Sequence, residues 1–197
     1  MIAQLSGKFL HKTPTHVVVD AGGVGYEVQI SLFTWSAIQH LEEGTLFTYL
    51  KVAEDAFALY GFYEVAEKEV FLKLIGVAGV GAGTARIMLS SMKPAEVTQA
   101  IAQGNVRQLE SIKGIGKKTA ERLVLELREK MAAMGPHYEN KNTPTAGNMV
   151  ESDALNALMA LGIARGAAEN ALQKAMAAAG NGPQNVEALI KQALKAL

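Results

Sequence analysis

Apolar and polar residues alternate with one rhythm over the first third of the chain and with another over the rest. Across residues 1–63, short apolar runs separated by turn residues predict five strands: Ile2 to Phe9, His16 to Val19, Gly25 to Ile30, Leu46 to Val52 and Phe57 to Phe62. Val17-Val18-Val19 and Tyr26, Val28 and Ile30 supply β-branched and aromatic residues, with Gly22-Gly23 as the turn between them. Residues 33–38 predict one short helix between the third and fourth strands. Five short strands with one interposed helix predict an OB-like β-barrel. From residue 64 the period becomes helical. Helices are expected over Glu67 to Leu74, over Arg86 to Ser91, from Pro94 to near Gly104, from a cap at Asn105, and from Thr119 to about Met134. Gly135-Pro136 stops the last of these. Residues 135–149 are polar and without period, which predicts a flexible linker. Residues 150–197 predict three short helices. The first is capped by Ser152 and ended by Gly162, the second covers Ala167 to Ala178, and the third starts at Asn185 and carries Val186, Leu189, Ile190, Leu194 and Leu197. The fold class expected is thus multidomain β + α.

The densest local signal is Ser111-Ile112-Lys113-Gly114-Ile115-Gly116-Lys117-Lys118-Thr119-Ala120-Glu121-Arg122. Apolar residues at helical spacing flank it on both sides, so two helices meet across a very short turn built as Gly-apolar-Gly. Gly114 and Gly116 allow close approach of the backbone, and Ile115 plugs the gap between the helices. The next helix then presents unpaired N–H groups that favour an anion. Lys117 and Lys118 sit at that same helix N-terminus, where cations oppose the dipole; helix stability does not explain them, and a bound phosphate does. The stretch is not a P-loop, because its hydroxyl is misplaced and a helix rather than a strand precedes it. A second copy lies upstream. Gly79, Val80, Gly81, Thr84 and Ala85 fall opposite Gly114, Ile115, Gly116, Thr119 and Ala120 at a constant offset, an internal repeat of a helix–hairpin–helix unit. Two such hairpins can grip successive phosphates of a duplex without reading bases.

Charge changes this picture only through its distribution. The 197 residues carry no formal net charge, 49% are hydrophobic and 19% charged. Residues 1–63 hold Lys8, Lys12 and Lys51 against Asp20, Glu27, Glu42, Glu43, Glu54 and Asp55, a net −3. Residues 105–130 hold Arg107, Lys113, Lys117, Lys118, Arg122, Arg128 and Lys130 against Glu110, Glu121, Glu126 and Glu129, a net +3. A dipolar protein that meets DNA with one region fits these numbers. The absence of cysteine excludes a disulfide framework and a thiolate metal site. The N-terminus has no signal-peptide pattern and no run is long enough to span a membrane, so a cytoplasmic location is expected. Gly22-Gly23-Val24-Gly25 is not a dinucleotide loop, because Tyr26-Glu27-Val28 continues as strand.

Two further features carry chemistry. The last barrel hairpin has Ala53-Glu54-Asp55-Ala56 at its tip. Paired carboxylates there either solvate a loop or repel phosphates and steer DNA strands apart; with alanines and Phe57 around them, a metal or general-acid cluster is the weaker reading. In the C-terminal module Leu158, Leu161, Ile163 and Leu194 exceed what so small a core requires, which predicts an apolar face that docks a partner.

In combination, Val52-Ala53-Glu54-Asp55 followed by Leu59-Tyr60-Gly61-Phe62, the tandem hairpins ending in Gly114 to Arg122, the linker and Leu161-Gly162-Ile163 resemble the RuvA family of bacterial Holliday-junction-recognition subunits. The resemblance covers essentially the whole chain. It implies an OB-like barrel (1–63) for oligomerisation, a tandem helix–hairpin–helix domain (64–134), a linker (135–149) and a three-helix, UBA-like module (150–197). It implies a homotetramer, in some members doubled to an octamer, that holds a four-way junction open during homologous recombination, DNA repair and the SOS response. DNA-binding residues would be Gly79, Gly81, Gly114, Gly116, Lys117, Lys118 and Arg122, with Glu54 and Asp55 as an acidic pin. Leu158, Leu161, Ile163 and Leu194 would bind the hexameric ATPase RuvB, and RuvC would resolve the junction. No catalytic residue, metal or cofactor is expected in this chain. Where family members often carry Pro-Lys after the first Gly-x-Gly, this chain has Ala82-Gly83, so its first hairpin would rely on backbone amides, with Arg86 as a substitute cation. A hairpin-containing glycosylase or lyase is the competing class, but it needs a base pocket and a catalytic Asp or Lys. Downstream of Gly116 the acids Glu121, Glu126 and Glu129 instead alternate with bases, as surface pairs do. A nonspecific duplex binder would have no use for the acidic tip.

Overall fold

The computed structural model describes residues 1–54, 56–134, 146–179 and 185–196. Asp55, the stretch 135–145 read as linker, and Leu197 lie outside the described residues, as does the side chain of Ser152. Two compact units result, residues 1–139 and 140–197.

The alternating segment forms a closed barrel of β1 (Gln4–Lys12), β2 (His16–Ala21), β3 (Val24–Ile30), β4 (Glu43–Val52) and β5 (Phe57–Phe62), in the order β1-β2-β3-β5-β4. Only β3 and β5 run parallel. Helix α1 (Leu32–Ile38) joins β3 to β4 and buries Ile38 among Val17, Val28, Ile30 and Leu46 in the barrel interior. Two strands outrun their apolar segments. β4 begins at Glu43 because Glu43, Gly44 and Thr45 pair with Lys8, Gly7 and Ser6; the neighbour's hydrogen bonds, not hydrophobicity, extend it. β1 continues past Phe9 through a bulge to Lys12. Where β1 crosses β2, a Cβ on Gly7 would lie 1.8 Å from the Asp20 carbonyl oxygen, so the barrel closes there only with glycine.

The helical part of the first unit comprises α2 (Val65–Ile75), α3 (Ala82–Ser91), α4 (Pro94–Ala102), α5 (Val106–Glu110) and α6 (Lys117–Ala132). Asn105 caps α5, its side chain accepting from the Gln108 N–H. Helices α3 and α6 start at Ala82 and Lys117, earlier than Arg86 and Thr119, because Gly81 and Gly116 act as their N-caps.

A second core joins the outer wall of the barrel to the helices. Phe71 of α2 packs its ring against the outer barrel wall, with centroids 4.8 Å from Phe62, 5.4 Å from Tyr60 and 5.5 Å from Tyr49. Each such pair contributes about 1 kcal/mol beyond the area it buries. One turn earlier on the same stripe lies Glu67, fully buried. Ser31 and Thr34, at the N-terminus of α1, donate their hydroxyls to its two carboxylate oxygens, Thr34 at 2.5 Å. Thr34 Oγ1 also accepts from the Tyr63 N–H at 3.0 Å. Among the described residues no lysine or arginine forms an ion pair with Glu67. Burial therefore dominates over the two hydroxyls, and the carboxyl is pushed up to about 7.

The second unit packs α7 (Ala146–Ala160), α8 (Arg165–Ala179) and α9 (Val186–Lys195) around Ala154, Leu158, Ala168, Leu172, Leu189 and Ala193. The expected cap at Ser152 is corrected: α7 starts at Ala146, so Ser152 lies inside the helix, and residues 146–149 are helical rather than linker. Gly162, at φ +88°, ends the turn after α7. Asn185 caps α9 through the Glu187 N–H. No helix among the described residues is long and apolar enough to cross a membrane.

The raised Glu67 carboxyl has a signed consequence. Its folded-state value lies above the ordinary 4.5, so its contribution to stability is full below pH 4.5 and is lost as pH rises to about 7. Urea unfolding of the wild type should lose about 2–3 kcal/mol from this group between pH 5 and pH 8, whereas Glu67→Gln should lack that component. Parallel pH profiles for the two proteins would contradict the assignment.

Candidate nucleic-acid interface

The two hairpins have the same backbone. Gly79 sits at φ +93° and Gly114 at φ +90°, the left-handed conformation each turn requires. Val80 and Ile115 between the glycines are buried, and their N–H groups donate to Val77 and Ile112 at 3.0 Å in both copies. Ala85 and Ala120, buried against the core, donate to the carbonyls of Gly81 and Gly116 at 2.9 and 3.0 Å. Leu74, Val77, Ala85 and Met88 of the first copy match Leu109, Ile112, Ala120 and Leu123 of the second, all buried in one shared cluster.

The second glycine of each pair is different in kind. Gly81 lies at φ −82°, ψ 168° and Gly116 at φ −87°, ψ 167°, extended backbone open to any residue. A Cβ on either would meet nothing within 4 Å. Neither conformation nor packing within the chain demands glycine there. Both residues are N-caps without a side-chain cap, and neither α3 nor α6 has an acid in its first turn. The first N–H groups of each helix are thus left without a side-chain acceptor, the arrangement that accepts a phosphate oxygen.

Electrostatics separate the copies. Around the second hairpin Lys113, Lys117 and Lys118 are all exposed. Their counterparts in the first are Ala78, Ala82 and Gly83. Arg86, the expected substitute cation, donates from Nη1 to the Thr15 carbonyl at 3.0 Å and so ties α3 to the barrel. Arg122 on α6 pairs with Glu126 at 2.6 Å on the exposed face, an i,i+4 pair of little energetic weight. At the barrel end, Glu54 is exposed at a tip closed by the Ala53 N–H donating to Ala56 at 2.9 Å.

In the second unit the four apolar residues part company. Leu158 is fully buried in the module's own core and Ile163 is packed against it, while Leu161 is 65% and Leu194 44% exposed. Exposed Met159 adds to the outer apolar surface. The sequence reading passed over the burial of Glu67 and set Leu158 on the docking face, although both carry one signal. Glu67 falls three and four residues before Val70 and Phe71, and Leu158 stands four after Ala154, so each occupies a core stripe at helical spacing.

Three family models match the chain: RuvA N terminal domain over residues 1–61, SAM-like helix-hairpin-helix tandem over 71–129, and RuvA C-terminal domain over 150–197. The Holliday junction branch migration complex subunit RuvA of Cytophaga hutchinsonii is 44% identical over 198 residues, covering 99% of each chain. Those of Flavobacterium psychrophilum and Geobacter metallireducens are 44% and 43% identical, with 99% or more of each chain covered. The chain belongs to the RuvA family. As a RuvA-family chain it combines an OB-type barrel, a hairpin tandem and a C-terminal helical module, with its hairpin cations concentrated in the second copy.

The hairpin geometry separates folding from binding. Gly116→Ser would supply the missing cap, leaving stability unchanged or raised by a few tenths of a kcal/mol, while filling the space a phosphate would enter. DNA affinity at one fixed salt should fall about tenfold, as it should for Lys118→Ala. Lys118→Ala should also lower the salt dependence by about one unit of slope. Changes at Ala82 or Gly83 should do less. Unaltered affinity in both variants would remove the second hairpin from the interface.

Proposed function

We propose that this RuvA-family chain is the structure-specific DNA-binding subunit of a Holliday junction branch migration complex. It holds the four-way junction open and recruits the ATPase RuvB, and it performs no bond-breaking chemistry itself. The observation that carries this reading is the pair of equivalent hairpins on one packed unit, each ending in an uncapped helix N-terminus beneath a side-chain-free glycine. Backbone amides and lysines contact phosphate without reading sequence, which suits a junction that moves along DNA.

A four-way junction has four equivalent arms, and four copies of the chain around it match that symmetry. Each copy then offers two hairpins to an arm. Gly79, Gly81, Gly114, Gly116, Lys117 and Lys118 hold the arm's phosphates, the second hairpin more strongly because Lys113, Lys117 and Lys118 stand exposed around it. Arg122, tied to Glu126, adds positive charge at the edge. The exposed Glu54, with Asp55 next to it in sequence, stands where phosphates are repelled and strands are parted. The C-terminal module docks RuvB through Leu161 and Leu194, with Met159 beside them; Ile163 backs that surface, and Leu158 supports it from the core. RuvC resolves the same junction, and the complex works in the cytoplasm.

Recruitment is tested by strand exchange on a four-way junction with RuvB and ATP. Leu161→Asp combined with Leu194→Asp should leave junction binding intact and abolish stimulation of branch migration. Stimulation equal to the wild type would place the docking surface elsewhere.

A further inference from the structure

The β4–β5 hairpin carries an apolar pair that neither fold nor hairpin grip uses. Val52 and Phe57 face each other in the strand register, one residue before and one after the four-residue tip. They belong to the row of Leu50, Leu59 and Leu46 that fills the barrel interior. Beyond the barrel's end that row has nothing left to cover it, and Val52 is 65% and Phe57 76% exposed. Lys51 and its partner Ala58 point to the opposite face. A hairpin end needs only polar residues for solvation, so an exposed phenylalanine there asks for a partner.

Charge limits what that partner is. Glu54 is exposed two residues from Val52, so a phosphate or any acidic surface is repelled from this end of the hairpin. In the arrangement proposed above, this end of the hairpin lies at the crossover, where DNA is what it meets. An uncharged, flat apolar face is what remains. At the branch point of a four-way junction, a base loses a stacking neighbour and presents such a face. We infer that Phe57, backed by Val52, is a stacking platform for a base at the junction's crossover, beside Glu54, which turns the backbone away. This rests on the junction-binding reading above. Base–aromatic stacking tolerates every base, which a moving crossover requires.

The test uses the full-length protein with a four-way junction and a linear duplex of matched sequence. Phe57→Ala should weaken junction binding about tenfold and leave duplex binding unchanged. In Phe57→Trp, indole emission should be quenched by the junction and not by the duplex; the native Trp35 serves as the reference in the wild type. Emission unchanged in a complex that a gel shift shows to be formed would overturn the platform and leave junction binding standing. Emission that instead follows protein concentration without DNA, with Phe57→Ala altering the oligomeric state, would overturn it in favour of a contact between copies. Failure of the wild type to bind the junction at all would remove both readings.

Discussion

The joint between Phe71 and the barrel wall fixes the geometry on which everything else depends. A small barrel and a set of short helices could be tethered loosely; here the outer wall of the barrel is part of the helical core. Phe71 stacks into a groove of Tyr49, Tyr60 and Phe62, while Glu67 on the same helix ties down the start of α1 through Ser31 and Thr34. Leu32 N–H donating to Ser90 Oγ at 3.1 Å and Arg86 donating to Thr15 extend the joint along α3. The hairpins and the barrel are thereby built into one packed unit. In the reading proposed above, one element holds phosphates and another repels them, and a packed joint between helices and barrel keeps the two at one spacing.

Duplication builds the two hairpins. Both hairpins use one glycine for a conformation and a second for emptiness, and only the second is free of any demand from the fold. The copies then diverge in charge. The second gathers three exposed lysines, while the first has small residues at the same places and gives its nearby arginine to the barrel. The exposed lysine charge is thus gathered at the second hairpin, while Arg86 near the first donates to the Thr15 carbonyl.

Much of this was legible in the sequence, for physical reasons. The hairpin repeat was readable because Gly-x-Gly flanked by helical periodicity is a local pattern that recurs at a constant offset. The barrel was readable from alternation, and Asn105 and Asn185 from cap chemistry. What escaped depended on contacts distant in the chain. The start of β4 comes from pairing with β1, and the engagement of Arg86 comes from a loop seventy-one residues away. Glu67 reads as a solvated helix residue until Ser31 and Thr34 are brought to it. The apolar surplus of the C-terminal module was visible, but not which leucine faced inward; a helix register turns Leu158 to the core and leaves Leu161 outside.

The most direct measurement is a competition between a four-way junction and a linear duplex of matched sequence for the intact protein, at defined salt with magnesium. The account predicts strong preference for the junction, reduced or lost when Glu54 and Asp55 are both neutralised, since only a crossover gives the acidic tip something to enter. Equal affinity for the two DNAs would contradict it, leaving a pair of hairpins that hold phosphate wherever they meet it.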